Sequence, residues 1–238
     1  MKLAKKFLFV AGATLLLSTT GILASSQANT IISKAFKYVG SLDKYSLDAI
    51  VINDDMRDGK SIKYKHNVAI KVDRPDKFRV DIKGDIKDRS SYLNSGLFTM
   101  IDYGFGYYGE LKTANNIDRV LDDIFERYGI KAPLAQLLYS DMHKRTKLRR
   151  SRYFGVATLG GVECDYVAFA DRKKEVHVWI ATGDQPLVKC FIVIDKLGRG
   201  NPRSVTTIKW NLDTTISDND FIFKLPKGVT KISIESAN

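Results

Sequence analysis

Alternation of apolar and polar residues with a period of two is the feature that most restricts the fold of this chain. It is clearest over Ile62–Val72, where Val68 and Ile70 share one face with other apolar residues while Lys63 and Lys71 share the opposite face. A strand with one apolar and one polar face is typical of an antiparallel sheet that is solvated on one side. Similar segments recur along most of the chain, so the sequence predicts a strongly curved antiparallel sheet of about ten strands.

Three segments have a helical period instead. Asn29-Thr30 is predicted to cap an amphipathic helix that ends at Gly40, and a second helix is predicted over Asn116–Tyr128. A shorter helix is predicted over Pro133–Leu138. The last two form an insert between two strand-rich halves, either as a mobile lid or as a fixed cover, because both have the same amphipathic pattern.

The N-terminal segment Met1–Ala28 is typical of a secretory signal peptide. Lysines precede an apolar run over Phe7–Leu17, and Ser26 and Ala28 supply small residues at the positions that a signal peptidase reads. The run is shorter than the ~20 residues of a spanning helix, although an N-terminal membrane anchor is the alternative. No cysteine lies near the cleavage site. We therefore expect a periplasmic, non-lipidated protein whose residues 29–238 form a single domain.

Basic residues outnumber acidic residues, and the formal charge is +11 at pH 7. Removal of the predicted signal leaves +8, because that segment holds three lysines and no acidic residue. A basic exported protein is attracted to anionic surfaces such as lipid head groups, whereas nucleic acid is not an expected partner. The densest positive run is a candidate for peripheral contact with an anionic membrane, although a solvated loop is the favoured explanation because charge runs are usually solvated. This run comprises Lys144, Arg145, Lys147, Arg149, Arg150 and Arg152.

The two cysteines are expected to be free, half-buried thiols. Cys164 falls in one predicted strand and Cys190 in the next strand but one. At ~4.8 Å per strand, their Cα atoms should be ~9–10 Å apart. A disulfide requires less than ~7 Å.

No residue pattern indicates catalysis or a bound cofactor. The three histidines lack metal-ligand spacing, and no Gly-x-Ser-x-Gly sequence is present. Tyr103–Tyr107 is rich in glycine but lacks the Lys-Ser/Thr pair that a phosphate-binding loop requires. We therefore expect a protein that is not an enzyme and that carries neither a metal nor another cofactor.

Several short motifs follow one another in a recognisable order. Val72–Val80 (VDRPDKFRV) ends one strand in Arg-Pro and opens the next with Phe-Arg, Asn94–Asp102 places a small turn before an apolar strand, and Phe221–Val229 ends in Pro-x-Gly-Val. These motifs resemble those of the lipoprotein-carrier (LolA/LolB-like) superfamily. Leu159–Asp165 and Trp179-Ile180 resemble segments of a related family of uncharacterised exported bacterial proteins.

The resemblance implies an unclosed antiparallel β-barrel wrapped around helices, with acyl chains held between the sheet and the helices. The expected function is that of a periplasmic, monomeric binding or carrier protein for a lipid or an acylated protein. The alternative is a cell-envelope interaction or sensor domain whose barrel is filled by its own side chains. Nine residues are candidates for the cavity lining, although ordinary core packing explains each of them individually. They are Phe78, Val80, Phe98, Met100, Leu137, Leu138, Trp179, Trp210 and Phe221.

Overall fold

A single large sheet dominates the structure. The computed structural model describes residues 17–58, 60–146 and 148–237. The strands in these residues are β1 (Lys44–Arg57), β2 (Lys60–Asp73), β3 (Lys77–Gly84), β4 (Asp88–Asn94), β5 (Leu97–Asp102), β6 (Tyr107–Lys112), β7 (Arg152–Leu159), β8 (Val162–Ala170), β9 (Lys174–Ala181), β10 (Val188–Asp195), β11 (Arg203–Asn211) and β12 (Thr230–Lys231). Their order is β12-β6-β5-β4-β3-β2-β1-β11-β10-β9-β8-β7, and the curved sheet does not close on itself. The predicted α+β half-barrel is confirmed, with twelve strands rather than about ten.

The sheet consists of two meanders. Strands β1 to β6 form the first and β7 to β11 form the second, and the β1–β11 ladder joins them in antiparallel register from Ser46↔Asn211 to Asn53↔Ser204. The helical insert lies between the meanders in sequence, as predicted. Each meander therefore contributes about half of one continuous sheet.

The helices are α1 (Leu17–Gly40), α2 (Ile117–Tyr128) and α3 (Met142–Arg145). Asn29 and Thr30 lie inside α1, so the prediction that they cap it was wrong. The prediction for α2 was right, because the Asn116 side chain accepts a hydrogen bond from the Arg119 N–H (3.0 Å) and Gly129 ends the helix at φ 65°. The predicted Pro133–Leu138 helix is reduced to a 3₁₀ turn over Ala135–Leu137, which starts after Leu134 at φ 53°.

The hydrophobic core lies on one side of the sheet, which we call the inner face. In the first meander, Phe78, Leu93 and Phe98 are buried there in one cluster with the apolar side of α2. That side of α2 consists of Ile117, Val120, Leu121 and Ile124. Alternation places the neighbouring side chains, such as Tyr92, on the opposite side, which we call the outer face.

The C-terminal segment packs on the first meander. The two-residue spacing of Phe221 and Phe223 predicts a strand here. Asp218–Phe221 is instead a 3₁₀ turn, and within the described part of this segment it is Thr230–Lys231 that pairs with β6. The Phe223 ring packs against the rings of Tyr92 and Tyr108, with ring centroids 5.6 Å and 5.3 Å apart, respectively. The prediction failed because alternating aromatic residues also occur where a segment packs across a sheet without joining its hydrogen-bond ladder.

Candidate functional site

A cavity of about 320 Å³ lies between the inner face of the second meander and the helices. Helix α1 contributes Ile32, Ala35 and Phe36, and strands β8, β9 and β10 contribute the opposite wall. The remaining lining residues are Gln136, Leu137, Met142, Thr146, Phe169, Lys174, Val176, Val178, Ile180, Val188, Phe191 and Val193. The lining is therefore almost entirely apolar, as expected for a site that holds a hydrophobic ligand.

Along strand β9 the exposure of the cavity-lining side chains falls from Lys174 to Ile180. Lys174 is exposed, Val176 is half-buried, and Val178 and Ile180 are buried. Because every second residue of a strand faces the same side, these four residues point inward together. The cavity therefore opens to solvent near Lys174.

Helix α1 leaves the second meander partly hollow. Its cavity-facing residues include the small Ala35, and the intermediate exposure of Phe36 shows that this ring does not close the space. By contrast, the inward face of α2 carries four buried branched side chains in the continuous core cluster. The lining includes none of these α2 residues.

Of the nine predicted lining residues, Leu137 lies in the cavity wall. The 3₁₀ turn and the residue after it, 135–138, lie over the inner face and are called the cover below. Four predicted residues are fully buried in the core cluster, three on the inner face and one in the cover: Phe78, Val80, Phe98 and Leu138. The half-buried Met100 packs against that cluster. Trp210 lies next to the cavity, because its Nε1–H donates to the carbonyl of Val188, a lining residue (2.7 Å).

Two of the nine residues were assigned to the wrong side of the sheet. Trp179 alternates with Val178 and Ile180, and its ring stacks on Tyr166 of the outer face with centroids 4.7 Å apart and planes 2° apart. Phe221 is fully buried but lies outside the core cluster, in the 3₁₀ turn that packs on β3 and β4. Neither residue can contact a ligand in the cavity.

The cover over the inner face is anchored by hydrogen bonds from the sheet. The hydroxyl of Tyr45 donates to the Leu137 carbonyl, and Arg74 Nη1 donates to the Leu138 carbonyl (2.7 Å). Burial raises the pKa of Tyr45 to about 12, so this hydroxyl is protonated at neutral pH. Arg74 belongs to the Arg-Pro motif of the sequence, which here has the structural role of holding the cover.

Further bonds hold the segment after the cover against α2. Asp118 accepts from the Ser140 backbone N–H (2.8 Å), and Asp122 accepts from the Tyr139 hydroxyl (3.0 Å). Leu137 and Leu138 are fully buried. These contacts favour a fixed cover over a mobile lid for this part of the insert.

The predicted basic run does not form one uniform surface. Arg145 is bound to Asp122 and Asp141 and lies over the Tyr139 ring, so its charge is already paired. Arg152 lies over Phe154 on the edge strand. Lys144 is exposed, and Lys147 lies outside the described residues.

Arg149 and Arg150 are instead brought close to a second basic segment. Together with Arg172 and Lys173 of the β8–β9 hairpin, they line a shallow depression. The Ala170 N–H donates to the Arg149 carbonyl (3.2 Å), which fixes the two segments side by side. The Arg-Lys-Lys run at 172–174 is the signal in the sequence for this second basic segment, but its position beside Arg149 follows only from the fold.

Both cysteines are free thiols, as expected, and both are more deeply buried than predicted. Cys164 and Cys190 lie on β8 and β10, with β9 between them. Burial raises the pKa of both thiols. Among the residues that the structure describes, no group of three or more His, Cys, Asp or Glu side chains is placed to hold a metal ion. None of the helices in the described ranges has the length and hydropathy needed to cross a bilayer.

A family model described as "Predicted periplasmic protein (DUF2092)" matches residues 28–235, which is nearly all of the chain after the predicted signal. The chain belongs to the DUF2092 family. This agrees with the resemblance to exported bacterial proteins that was expected from its motifs. None of the curated proteins matches the chain in sequence.

One solved structure shows that the DUF2092 chain shares its fold with a known protein at low sequence identity, and two further structures are similar over most of their length. An uncharacterized conserved protein from Thermus thermophilus is 10% identical, with a TM-score of 0.52 over 87% of this chain and 99% of that one. A LolA superfamily protein from Nitrosomonas europaea is 9% identical, with a TM-score of 0.38 over 82% and 97%. The lipoprotein LppX from Mycobacterium tuberculosis is 8% identical, with a TM-score of 0.44 over 81% and 99%.

Proposed function

We propose that this DUF2092 protein is a periplasmic binding or carrier protein that holds one lipid or acyl chain in the cavity of the second meander. The observation that carries this proposal is the position of the cavity, between an apolar strand surface and α1, with one end open to solvent. Its volume of about 320 Å³ is near the lower end of small-molecule sites. A single chain fits this size better than the several chains of an acylated protein.

Binding would be driven by removal of the chain from water. Each buried methylene group contributes about 0.8 kcal/mol, so about ten of them contribute roughly 8 kcal/mol before the cost of ordering the ligand. The buried residues Ile32, Val178 and Val188 supply the surface for the distal end of the chain. The reaction chemistry of an enzyme has no part in this proposal.

Contact with an anionic membrane is the second element of the proposed function. Lys144, Arg149, Arg150 and Arg152 are exposed, and each basic residue near an anionic surface contributes about 1 kcal/mol. Such contact would bring the open cavity to a source or an acceptor of lipid. Cosedimentation with phosphatidylglycerol vesicles, compared with phosphatidylcholine vesicles, measures it directly.

A matched pair of valine substitutions tests the cavity. Val176 and Val205 are both half-buried strand residues, but Val176 lines the cavity and Val205 lies on the outer face. Native mass spectrometry and organic extraction of the purified protein should find an acyl species in the wild type and in Val205→Trp. Val176→Trp should lose it, because the indole occupies the ligand's space. A ligand-free wild type that also fails to take up added dodecanoate or phospholipid would contradict the proposal.

The interaction-domain alternative is favoured by a different observation. Phe154, Tyr166 and Trp179 form a stack on the outer face with successive centroids 4.7 Å apart, and Phe154 is 48% exposed. Exposed aromatic residues are common at protein interfaces. The first meander is filled, as this alternative requires, but the second contains the cavity. A ligand-free mass under all loading conditions is the result that this alternative predicts.

A further inference from the structure

We propose that the open end of the cavity is a binding site for an anionic head group, so that the preferred ligand is an amphiphile with one apolar chain and a terminal carboxylate or phosphate. This inference rests on the proposed function and specifies its ligand. It joins two features of the structure, the apolar cavity and the basic segments around its mouth.

Lys174 connects the two features. It is the one charged residue in the described lining, and it lies at the exposed end of β9. A lysine can pack its methylene stem along apolar surface while its ammonium group stays in water. In this position the stem extends the apolar wall and the charge marks where the chain leaves the cavity.

Four more cations lie in the segments that flank the Lys174 end of β9. Arg149, Arg150, Arg172 and Lys173 line the neighbouring depression, and Arg172 and Lys173 immediately precede Lys174 in the chain. The Lys196 N–H donates to the Lys173 carbonyl (2.8 Å) and holds the hairpin in place. The depression therefore begins where the apolar lining ends.

The positive charge of this group is mostly unpaired. Within the described residues, none of the ion pairs involves the side chains of Arg149, Arg150, Arg172, Lys173 or Lys174. Two carboxylates lie near them: Asp195 lies opposite Lys174 across β9 and β10, and the other, Asp171, is in the hairpin itself. Its Oδ1 accepts hydrogen bonds from the backbone N–H groups of Lys173 and Lys174 (2.7 Å each), and these bonds lower its pKa.

Five cations against the two carboxylates Asp171 and Asp195 create an attractive potential for an anion at the mouth. A ligand whose apolar chain fills the cavity would place its terminal group there, in contact with both water and the cations. The charged group is not buried, so its hydration is largely retained. A neutral chain of equal length would gain the same apolar burial without the electrostatic attraction. The structure therefore selects between ligands by head group and not only by chain.

The test compares dodecanoate and dodecyl phosphate with dodecanol, which has the same chain and no charge. Binding to the exported protein is measured by calorimetry at low ionic strength. We expect both anions to bind at least about tenfold more tightly than dodecanol, because the cations at the mouth attract a charged head group and have no such effect on an alcohol. The ratio should fall as salt is added.

Removal of positive charge at the mouth of the cavity should bring the ratio of dodecanoate affinity to dodecanol affinity closer to one. The variants are Lys174→Met, which keeps an apolar stem, and the double variant Arg172→Gln/Lys173→Gln. The matched control, Lys63→Gln/Lys65→Gln, removes two exposed charges from the outer face of β2 and should preserve the ratio. An equal proportional loss of anion and alcohol binding in the mouth variants would overturn the inference.

Other outcomes separate this inference from its alternatives. Equal affinity of the wild type for dodecanoate and dodecanol would overturn the head-group site but leave the carrier function intact. Binding of neither would overturn both. Tight binding of inorganic phosphate without a chain would identify a free-anion site instead. The mouth variants could instead lose binding to phosphatidylglycerol vesicles while they still prefer dodecanoate to dodecanol as the wild type does. That result would make the cations a membrane contact and overturn the inference.

Discussion

The hydroxyl of Tyr45 and the guanidinium of Arg74 bind the carbonyls of two consecutive residues in the cover, Leu137 and Leu138. Tyr45 lies on β1, and Arg74 directly follows β2. Two adjacent strands therefore hold the same turn of chain over the core. Because both acceptors are backbone carbonyls, the anchoring does not depend on the identity of the side chains in the cover.

Tyr45→Phe should lower the free energy of unfolding by about 1–3 kcal/mol, because it leaves the buried Leu137 carbonyl without its donor. Urea denaturation measures this difference. Tyr107→Phe is the control, since Tyr107 is 46% exposed and its change should be within about 0.5 kcal/mol. Equal stability of the Tyr45 variant and the wild type would show that the bond does not hold the cover.

The contribution of the Tyr45 hydroxyl to the free energy of unfolding should disappear at high pH. Its pKa is raised to about 12 in the folded protein, mainly by burial, whereas an unfolded tyrosine titrates near 10. The stabilisation is therefore complete below pH 10 and is lost as the pH rises through 12, at about 1.4 kcal/mol per pH unit. The stability gap between wild type and Tyr45→Phe should narrow over that range. A gap that stays constant from pH 8 to 12 would contradict the assignment.

The two tryptophans should report differently on ligand binding. Trp210 donates to the carbonyl of the lining residue Val188, whereas Trp179 is on the outer face. Since the chain has only these two tryptophans, Trp179→Phe leaves Trp210 as the sole reporter. Titration with dodecanoate should change the emission of Trp179→Phe and leave that of Trp210→Phe unchanged. A response only in Trp210→Phe would restore the sequence-based assignment of Trp179 to the cavity.

Replacement of Arg150 by glycine should separate stability from head-group binding. Arg150 has φ 48°, a left-handed conformation that costs a residue with a side chain roughly 1–2 kcal/mol. Arg150→Gly should therefore be as stable as the wild type, or more stable by up to about 1 kcal/mol, while dodecanoate affinity falls. Arg149, the neighbouring residue, is not in a left-handed conformation, so Arg149→Gly relieves no backbone strain. Its free energy of unfolding should fall by about 0.5–1 kcal/mol. A destabilised Arg150→Gly protein would argue against strain at this position.

Export should remove part of α1. Signal cleavage after Ala28 discards a fully buried alanine and the contact between the Ser25 and Ser151 hydroxyls (3.0 Å). It retains the bond that Ser151 donates to Asn29 Oδ1 (2.8 Å). N-terminal sequencing of the periplasmic protein should begin at Asn29. An intact N-terminus recovered in the membrane fraction would support the anchor instead.

The alternation of the sequence was sufficient to predict the inner face of the first meander. In β2 the inward residues include Val68 and Ile70, whereas the other face carries three lysines and Asn67, so only one face can be buried. The caps of α2 were also predictable, because Asn116 and Gly129 act through local geometry.

Strand β9 shows why the cavity itself could not be predicted. Its alternation does mark the inner face, because Val178 and Ile180 lie on one face and Glu175 and His177 share the other with Trp179, but the pattern does not show that the inner face borders an empty space. The large indole was the more attractive candidate, but a cavity is formed where side chains are small. Empty volume depends on the distance between α1 and the sheet, and a residue pattern does not contain that distance.

The basic mouth depends on topology in the same way. Arg150 and Arg172 are far apart in sequence and come together only because β7, β8 and β9 form a meander whose segments meet beside the Ala170–Arg149 backbone bond. From the sequence, each basic segment is an ordinary solvated run.

The C-terminal segment has a consequence for the time course of synthesis. Asp218 binds Lys77 at a separation of 141 residues, and Phe223 covers Tyr92 on the outer face. A ribosome adds about 5–20 residues per second, so roughly 7–28 seconds pass between the appearance of Lys77 and that of its partner. During this interval the first meander has an uncovered aromatic surface and unpaired strand edges. Chaperones that bind the nascent or translocating chain are therefore expected to act on this meander.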